Sequence, residues 1–203
     1  TVQLLENSQK PLLLAGNGIK LSDSTDKLYE IVGQLQLPVE TTWKTIDMFA
    51  EEDPLYVGHP GIMGDRGANL ILQSADFILS VGCRLDTSVT AFNEKNFGKS
   101  ARKVIVDIDP NEIARMHVEN AAYAVCDAGY FLQCLQKAVE QKRNSLLEKG
   151  SLQKRQEWIR ECKEIRRKYP VITEEHKNAK DYVSAYYFIG ELCKLLKEDD
   201  VIV

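Results

Sequence analysis

Long apolar runs are missing from this sequence. No stretch approaches the roughly 18 uninterrupted apolar residues that a membrane-spanning helix needs, and no basic-then-apolar leader follows Thr1. No membrane partner, no signal peptide and a cytoplasmic location are therefore expected. An excess of positive charge is missing too: 26 Lys and Arg stand against 30 Asp and Glu, a formal net charge of −4. That balance argues against nucleic acid as the main partner. Histidine is scarce, and His59, His117 and His176 lie far apart. The five cysteines, Cys83, Cys126, Cys134, Cys162 and Cys193, are scattered and form no CxxC pair. Such spacing excludes a disulfide framework and a zinc site and fits free thiols in a reducing compartment. Nor is there a G-x-S-x-G elbow, an H-E-x-x-H helix or a P-loop ending in Lys-Ser/Thr. No catalytic residue and no metal ligand is assigned.

What is present is a globular chain of 203 residues, 44% hydrophobic and 28% charged. Short apolar runs alternate with helical patterns. "PLLLAGNG" reads as a strand, Leu12 to Ala15, ending in a glycine turn, after which Ser22 or Asp23 caps a helix carrying Leu28, Ile31, Val32 and Leu35. "LPVET", "DFILSVG", "KVIVDID" and "AAYAVC" read as four further strands. Trp43 to Pro60 reads as a long irregular connection. A helix begins near Asp65 with Leu70 and Ile71 facing inward, and Pro110 suits the first turn of another. Continuous apolar strands alternating with helices predict an α/β fold: a three-layer, doubly wound parallel sheet of about six strands, Rossmann-like, covered on both faces.

From Ser151 the character changes. "SLQKRQEWIRECKEIRRKY" reads as a charged helix with an apolar stripe of Ile159, Cys162, Ile165 and Tyr169, lying across another domain. The division expected is a nucleotide-binding-like domain over 1–140, a helical linker over 141–182, and the truncated start of a further domain over 183–203. The chain begins with Thr1 rather than Met, and its final "VIV" reads as a strand cut short. A fragment of a longer protein is expected.

Three places are candidates for chemistry. Gly16-Asn17-Gly18 follows the first strand, as a phosphate-binding turn does, although Leu21 stands where the dinucleotide fingerprint wants glycine; Glu40, at the end of the second strand, is near where a ribose-binding acid sits. The alternative is a tight strand-to-helix turn. Glycines at 58, 61, 64 and 67 make an open loop whose amides could face an anion, with Arg66 as a phosphate partner; the alternative is a purely structural connection. Third, Gly82-Cys83-Arg84 and Asp107-Ile108-Asp109 end two strands at one edge of the sheet, where open parallel sheets bind ligands. Arginine there can hold a diphosphate and aspartate can accept ribose or adenine hydrogen bonds. Alternatively, Asp107 and Asp109 cap the next helix and Arg84 pairs with Asp86. Cys83 is the one thiol placed at a likely site, and reads equally as a small residue packed at a strand end.

In this order, "KPLLLAGNGI", "LPVETTWKTIDMFAEEDPLYVGHPGIMGDRGANLILQSADFILSVGCRLD" and "KVIVDIDPNEI" resemble the central domain of thiamine diphosphate-dependent enzymes: acetolactate synthase, pyruvate oxidase and the 2-oxo acid decarboxylases. The resemblance covers Ser8 to Leu135. It implies a parent of three α/β domains that uses thiamine diphosphate and Mg2+ to make or break a carbon–carbon bond beside a carbonyl, as a transferase or lyase. It implies partners in the missing N- and C-terminal domains and a homo-oligomer, dimer or tetramer. Taken alone, this chain is expected not to catalyse. In some relatives the central domain holds FAD, in others an ADP-like group or nothing. The positions matching FAD contacts are Gly16, Gly18, Thr41, Thr42, Gly61, Gly64, Gly82, Arg84, Asp107, Ile108 and Asp127. Two motifs depart from acetolactate synthase: its G-M-H-G is Gly61-Ile62-Met63-Gly64 here, and the second arginine of G-A-R-F-D-D-R is replaced by Ser88. Competing expectations are an NAD-binding enzyme, with His59 as its only catalytic candidate, and a stand-alone nucleotide-binding module.

Overall fold

The computed structural model describes residues 1–197 and 199–202. Five strands form one parallel sheet: β1 (Pro11–Ala15), β2 (Val39–Thr41), β3 (Phe77–Val81), β4 (Arg102–Asp107) and β5 (Ala121–Val125). Their spatial order is β2-β1-β3-β4-β5. The helices in chain order are α1 (Val2–Asn7), α2 (Asn17–Leu21), α3 (Thr25–Leu35), α4 (Arg66–Ser74), α5 (Thr87–Thr90), α6 (Pro110–Arg115), α7 (Ala128–Gln141), α8 (Arg143–Leu146), α9 (Lys149–Lys168), α10 (Glu174–Lys177) and α11 (Ala185–Cys193).

β1 and β3 are fully buried because they lie mid-sheet with helices on both faces, which is why their sequences are continuous apolar runs rather than alternating ones. Leu13, Val39, Leu79 and Val104 point to one face and pack on Leu28, Ile31 and Leu35 of α3 and Leu132 and Val139 of α7. Leu12, Leu14, Ile78 and Ile105 point to the other and pack on Ile71 and Leu72 of α4 and Trp158 and Cys162 of α9. The connection over 43–60 is more ordered than its sequence predicts. A 3-10 turn covers Trp43–Met48. Leu55 to Gly58 then runs along the free edge of β2: Val39 N–H donates to Leu55 O, Val57 N–H to Val39 O, and Thr41 N–H to Gly58 O. This segment takes the place of a sixth strand, joined to the sheet by the parallel Val39–Tyr56 bridge. At the opposite edge β5 is largely open, with Tyr123 and Val125 exposed.

Other details differ from the sequence reading. α3 starts after Ser24, not Ser22 or Asp23, because the glycine turn continues into the short helix α2. Asp65 does precede α4, but of the two residues expected to face inward only Ile71 does; Leu70 is 38% exposed, because the inward stripe runs through Gly67, Ala68, Ile71 and Leu72. α9 lies against the sheet and α4. Trp158 and Cys162 are its buried residues with Arg155, whose guanidinium donates to Leu35 O at 2.7 Å. Val201 and Ile202 are exposed and outside any strand, and Val203 falls outside the described residues.

Candidate functional site

The strand order changes direction between β1 and β3, so the chains leaving these two strands part at their carboxyl ends and open a crevice. The turns are drawn together at its floor. Gly16 N–H donates to Val81 O, Gly18 N–H to Gly82 O, and Gly82 N–H to Val106 O. A Cβ on Gly16 would stand 2.3 Å from Cys83 Cα, and one on Gly18 2.8 Å from Gly82 Cα. Gly82 has φ +63 and would itself strike Gly18. These glycines let two backbones touch, and their amides are spent on that contact. Gly18→Ala is expected to destabilise the fold by about 2 kcal/mol, read as a lower urea midpoint; an unchanged midpoint would show that the turn yields freely.

Above this floor lies a cavity of about 760 Å³, within the range of small-molecule sites. Five strand ends contribute to it: Asn17 and Gly18 after β1, Thr42, Trp43 and Lys44 after β2, Gly82, Cys83 and Arg84 after β3, Asp107 to Asp109 at β4, and Cys126 to Ala128 after β5. Of the residues singled out from the sequence, Gly18, Thr42, Gly82, Arg84, Asp107, Ile108 and Asp127 line it together. Gly16, Thr41, Gly61 and Gly64 do not. Gly16 lies in the floor, and Thr41 is fully buried in β2. Gly61 is bound on both backbone groups by the Asn69 side chain, and its φ of +122 brings it against Ser88 O. That glycine loop closes on itself and on α5. Arg66 stacks on the Tyr169 ring, 4.8 Å from its centroid, away from the cavity.

The carboxylates have definite partners. Asp109 caps α6 by accepting the Asn111 N–H, and Asp127 caps α7 by accepting the Tyr130 N–H. Asp107 Oδ1 accepts the Asp109 N–H at 3.0 Å; among the described residues no donor reaches Oδ2. Asp107 is 8% exposed, at the cavity wall. Arg84 does not pair with Asp86, whose carboxylate caps α5. Its Nη2 lies 3.1 Å from Glu112 Oε1, and Glu112 also holds Arg115. Glu112, Trp43 and Lys44 escaped the sequence reading. The last two directly follow a strand end, the signal that would have found them; Glu112 carries none, since its partner Arg84 is 28 residues away.

Neither thiol at the cavity has the character of a nucleophile. Burial pushes the Cys83 thiol up to about 12, and its Sγ lies 3.1 Å from Leu14 O. Cys126 is likewise raised, chiefly by burial. His59 lies 3.7 Å from Asp65 and does not line the cavity, so it cannot serve a ligand there. Glu40 does not face the cavity either. It is fully buried, and neither carboxylate oxygen has a hydrogen-bond partner. Among the described residues no group of three or more His, Cys, Asp or Glu side chains could hold a metal ion, and no helix is long and apolar enough to cross a membrane.

The chain is a doubly wound α/β domain with a cavity at its strand ends lined by hydrogen-bond acceptors. Comparison with known proteins narrows this further: the chain belongs to the thiamine pyrophosphate enzyme central-domain family, which it matches over residues 1–135. It is similar to the acetolactate synthase large subunit of Parasynechococcus marenigrum (strain WH8102), 37% identical over 56% of this chain and 18% of that protein. It is also similar to the acetolactate synthase isozyme 2 large subunit of Escherichia coli (strain K12), 30% identical over 68% of this chain and 25% of the relative. The acetolactate synthase large subunit of Corynebacterium glutamicum is 27% identical over 98% of this chain and 30% of its own length. The chain thus spans less than a third of these relatives.

Proposed function

We propose that this chain is the noncatalytic central domain of a thiamine diphosphate- and Mg2+-dependent, acetolactate synthase-like enzyme acting on 2-oxo acids, and that its cavity takes a nucleotide, ADP or the ADP half of FAD. The carrying observation is Asp107: a nearly buried carboxylate at the β4 end, with one oxygen fixed by backbone and the other left to the cavity. A ribose hydroxyl or an adenine amino group is the donor such an oxygen takes. The nucleoside part therefore fits. The first turn of α7, in which the Asp127 cap takes the Tyr130 N–H and leaves those of Ala128 and Gly129, stands beside it.

Thiamine diphosphate, when bound in the parent, supplies the electron sink for cleaving or forming a bond beside a carbonyl. This chain's part in such a parent is to pack against the other domains and hold the nucleotide. The cytoplasmic setting, the homo-oligomer and the transferase or lyase activity belong to the same proposal. Titration calorimetry with ADP and FAD tests it. Asp107→Asn keeps an acceptor for Asp109 but removes the charge, and should weaken ADP by about tenfold. Saturable binding unaffected by this change would remove Asp107 from the site; no binding by the intact protein would sink the nucleotide reading.

A further inference from the structure

The cavity is ill suited to the charge of a diphosphate. Its wall carries five carboxylates, Asp86, Asp107, Asp109, Glu112 and Asp127, against two cations, Lys44 and Arg84. Lys44 lies over the Trp43 ring, its Nζ 5.4 Å from the centroid. Arg84 is bound twice to Glu112 Oε1, through Nε at 3.2 Å and Nη2 at 3.1 Å. Four of the five carboxylates accept backbone N–H groups at the starts of α5, α6 and α7 or at the β4 end, so their positions are fixed. Glu112 is the exception: its partners are two arginine side chains. Its side chain is 16% exposed and that of Arg84 66%. The pair is one well-placed carboxylate holding an exposed arginine at the cavity rim.

Resting on the nucleotide reading above, we infer that Glu112 is the specificity-determining residue of this cavity: by holding Arg84 and adding its own negative charge, it favours an uncharged nucleoside and admits a diphosphate only when Arg84 leaves it. An ion pair whose arginine stands largely in solvent is weak, so the exchange is within reach of ligand binding. The freed guanidinium can then clasp two phosphate oxygens, the geometry for which arginine is suited. The pair therefore acts as a charge selector, not a closed door.

Adenosine and ADP, titrated calorimetrically into the intact chain and its Glu112→Gln variant, separate the possibilities. Glutamine keeps the length and a carbonyl acceptor, so the fold should survive; a circular dichroism spectrum and melt check this. Removing one charge beside a diphosphate is expected to raise ADP affinity by about tenfold. Adenosine affinity should stay within about twofold, because the ligand is uncharged. Adding Arg84→Gln should cancel the gain for ADP. If adenosine binds both proteins and ADP affinity does not rise in E112Q, the role of Glu112 is overturned while the nucleoside site stands. If E112Q tightens adenosine as much as ADP, the selector is likewise overturned, since the effect is not one of charge. If neither ligand binds either protein, the nucleotide reading falls and this inference with it.

Discussion

Trp158→Ala should lower the free energy of unfolding by about 4 kcal/mol, one of the largest losses any single truncation can cause in this chain. Trp158 is 2% exposed and sits in the apolar cluster with Leu12, Leu14 and Cys162 that joins α9 to the sheet. Its Nε1 donates to Pro11 O at 2.9 Å, at the start of β1, and Lys10 Nζ rests 4.9 Å from its ring centroid. Truncation would leave a cavity and strip a buried carbonyl of its donor, two penalties that add. Arg155, one turn earlier, makes the corresponding bond to Leu35 O at the end of α3, and Lys163 donates to Asp53 O and Tyr56 O further along, so α9 is fastened at several points. Trp158→Phe keeps most of the apolar volume and loses only the donor, and about 1 kcal/mol is expected. Urea unfolding followed by circular dichroism measures both. The exposed Trp43 remains as a fluorescent reference in each variant. A loss below about 1 kcal/mol for the alanine variant would mean that α9 is a removable strap and not part of the core.

That role of α9 shows where the sequence could and could not be read. The sheet was legible because buried parallel strands need unbroken apolar runs, and "PLLLA" and "FILSV" have no other comfortable reading. Strand ends were legible for the same reason: a parallel topology puts Gly18, Gly82, Arg84, Asp107 and Asp127 at one edge whatever the ligand. α9 was legible as a helix with an apolar stripe, and Ile159, Cys162 and Ile165 of that stripe do meet the core, but its deepest contacts, Trp158 and the buried Arg155, were not, since its mean composition is that of a solvated helix. Leu55 to Gly58 escaped because pairing along β2 uses backbone groups, which any residue supplies. The spaced glycines of the 58–67 loop announced a turn but not what the turn faces; only the Asn69 and Ser88 contacts decide that. Glu112 was hidden because its importance lies in an arginine brought to it by folding.

Glu40 carries the second large prediction, one of pH. It follows Val39 in β2, level with Leu14 of β1, and is entirely buried with both oxygens unpaired. An ionised carboxylate there would lack both water and a donor, so burial raises its pKa well above the ordinary 4.5. The charged neighbours are Asp65, which raises it further, and Arg166, which opposes the rise but is shared with Glu51 and Asp65. The folded protein therefore holds a proton that the unfolded chain releases above its ordinary range. The stability this proton provides is complete below that range and is lost as pH climbs toward the folded-state value. Over that window stability should fall by about 1.4 kcal/mol per pH unit from this group alone. Glu40→Gln, similar in shape but never charged, should abolish this part of the slope and be the more stable protein at pH 8. Near pH 4 the two should converge. Urea midpoints at several pH values between 4 and 8 decide the matter: parallel curves for the two proteins would mean that Glu40 is ionised in the fold and finds a partner, most directly Arg166. Convergence at low pH with divergence above would establish a neutral acid in the core, a standing cost that the fold bears at neutral pH.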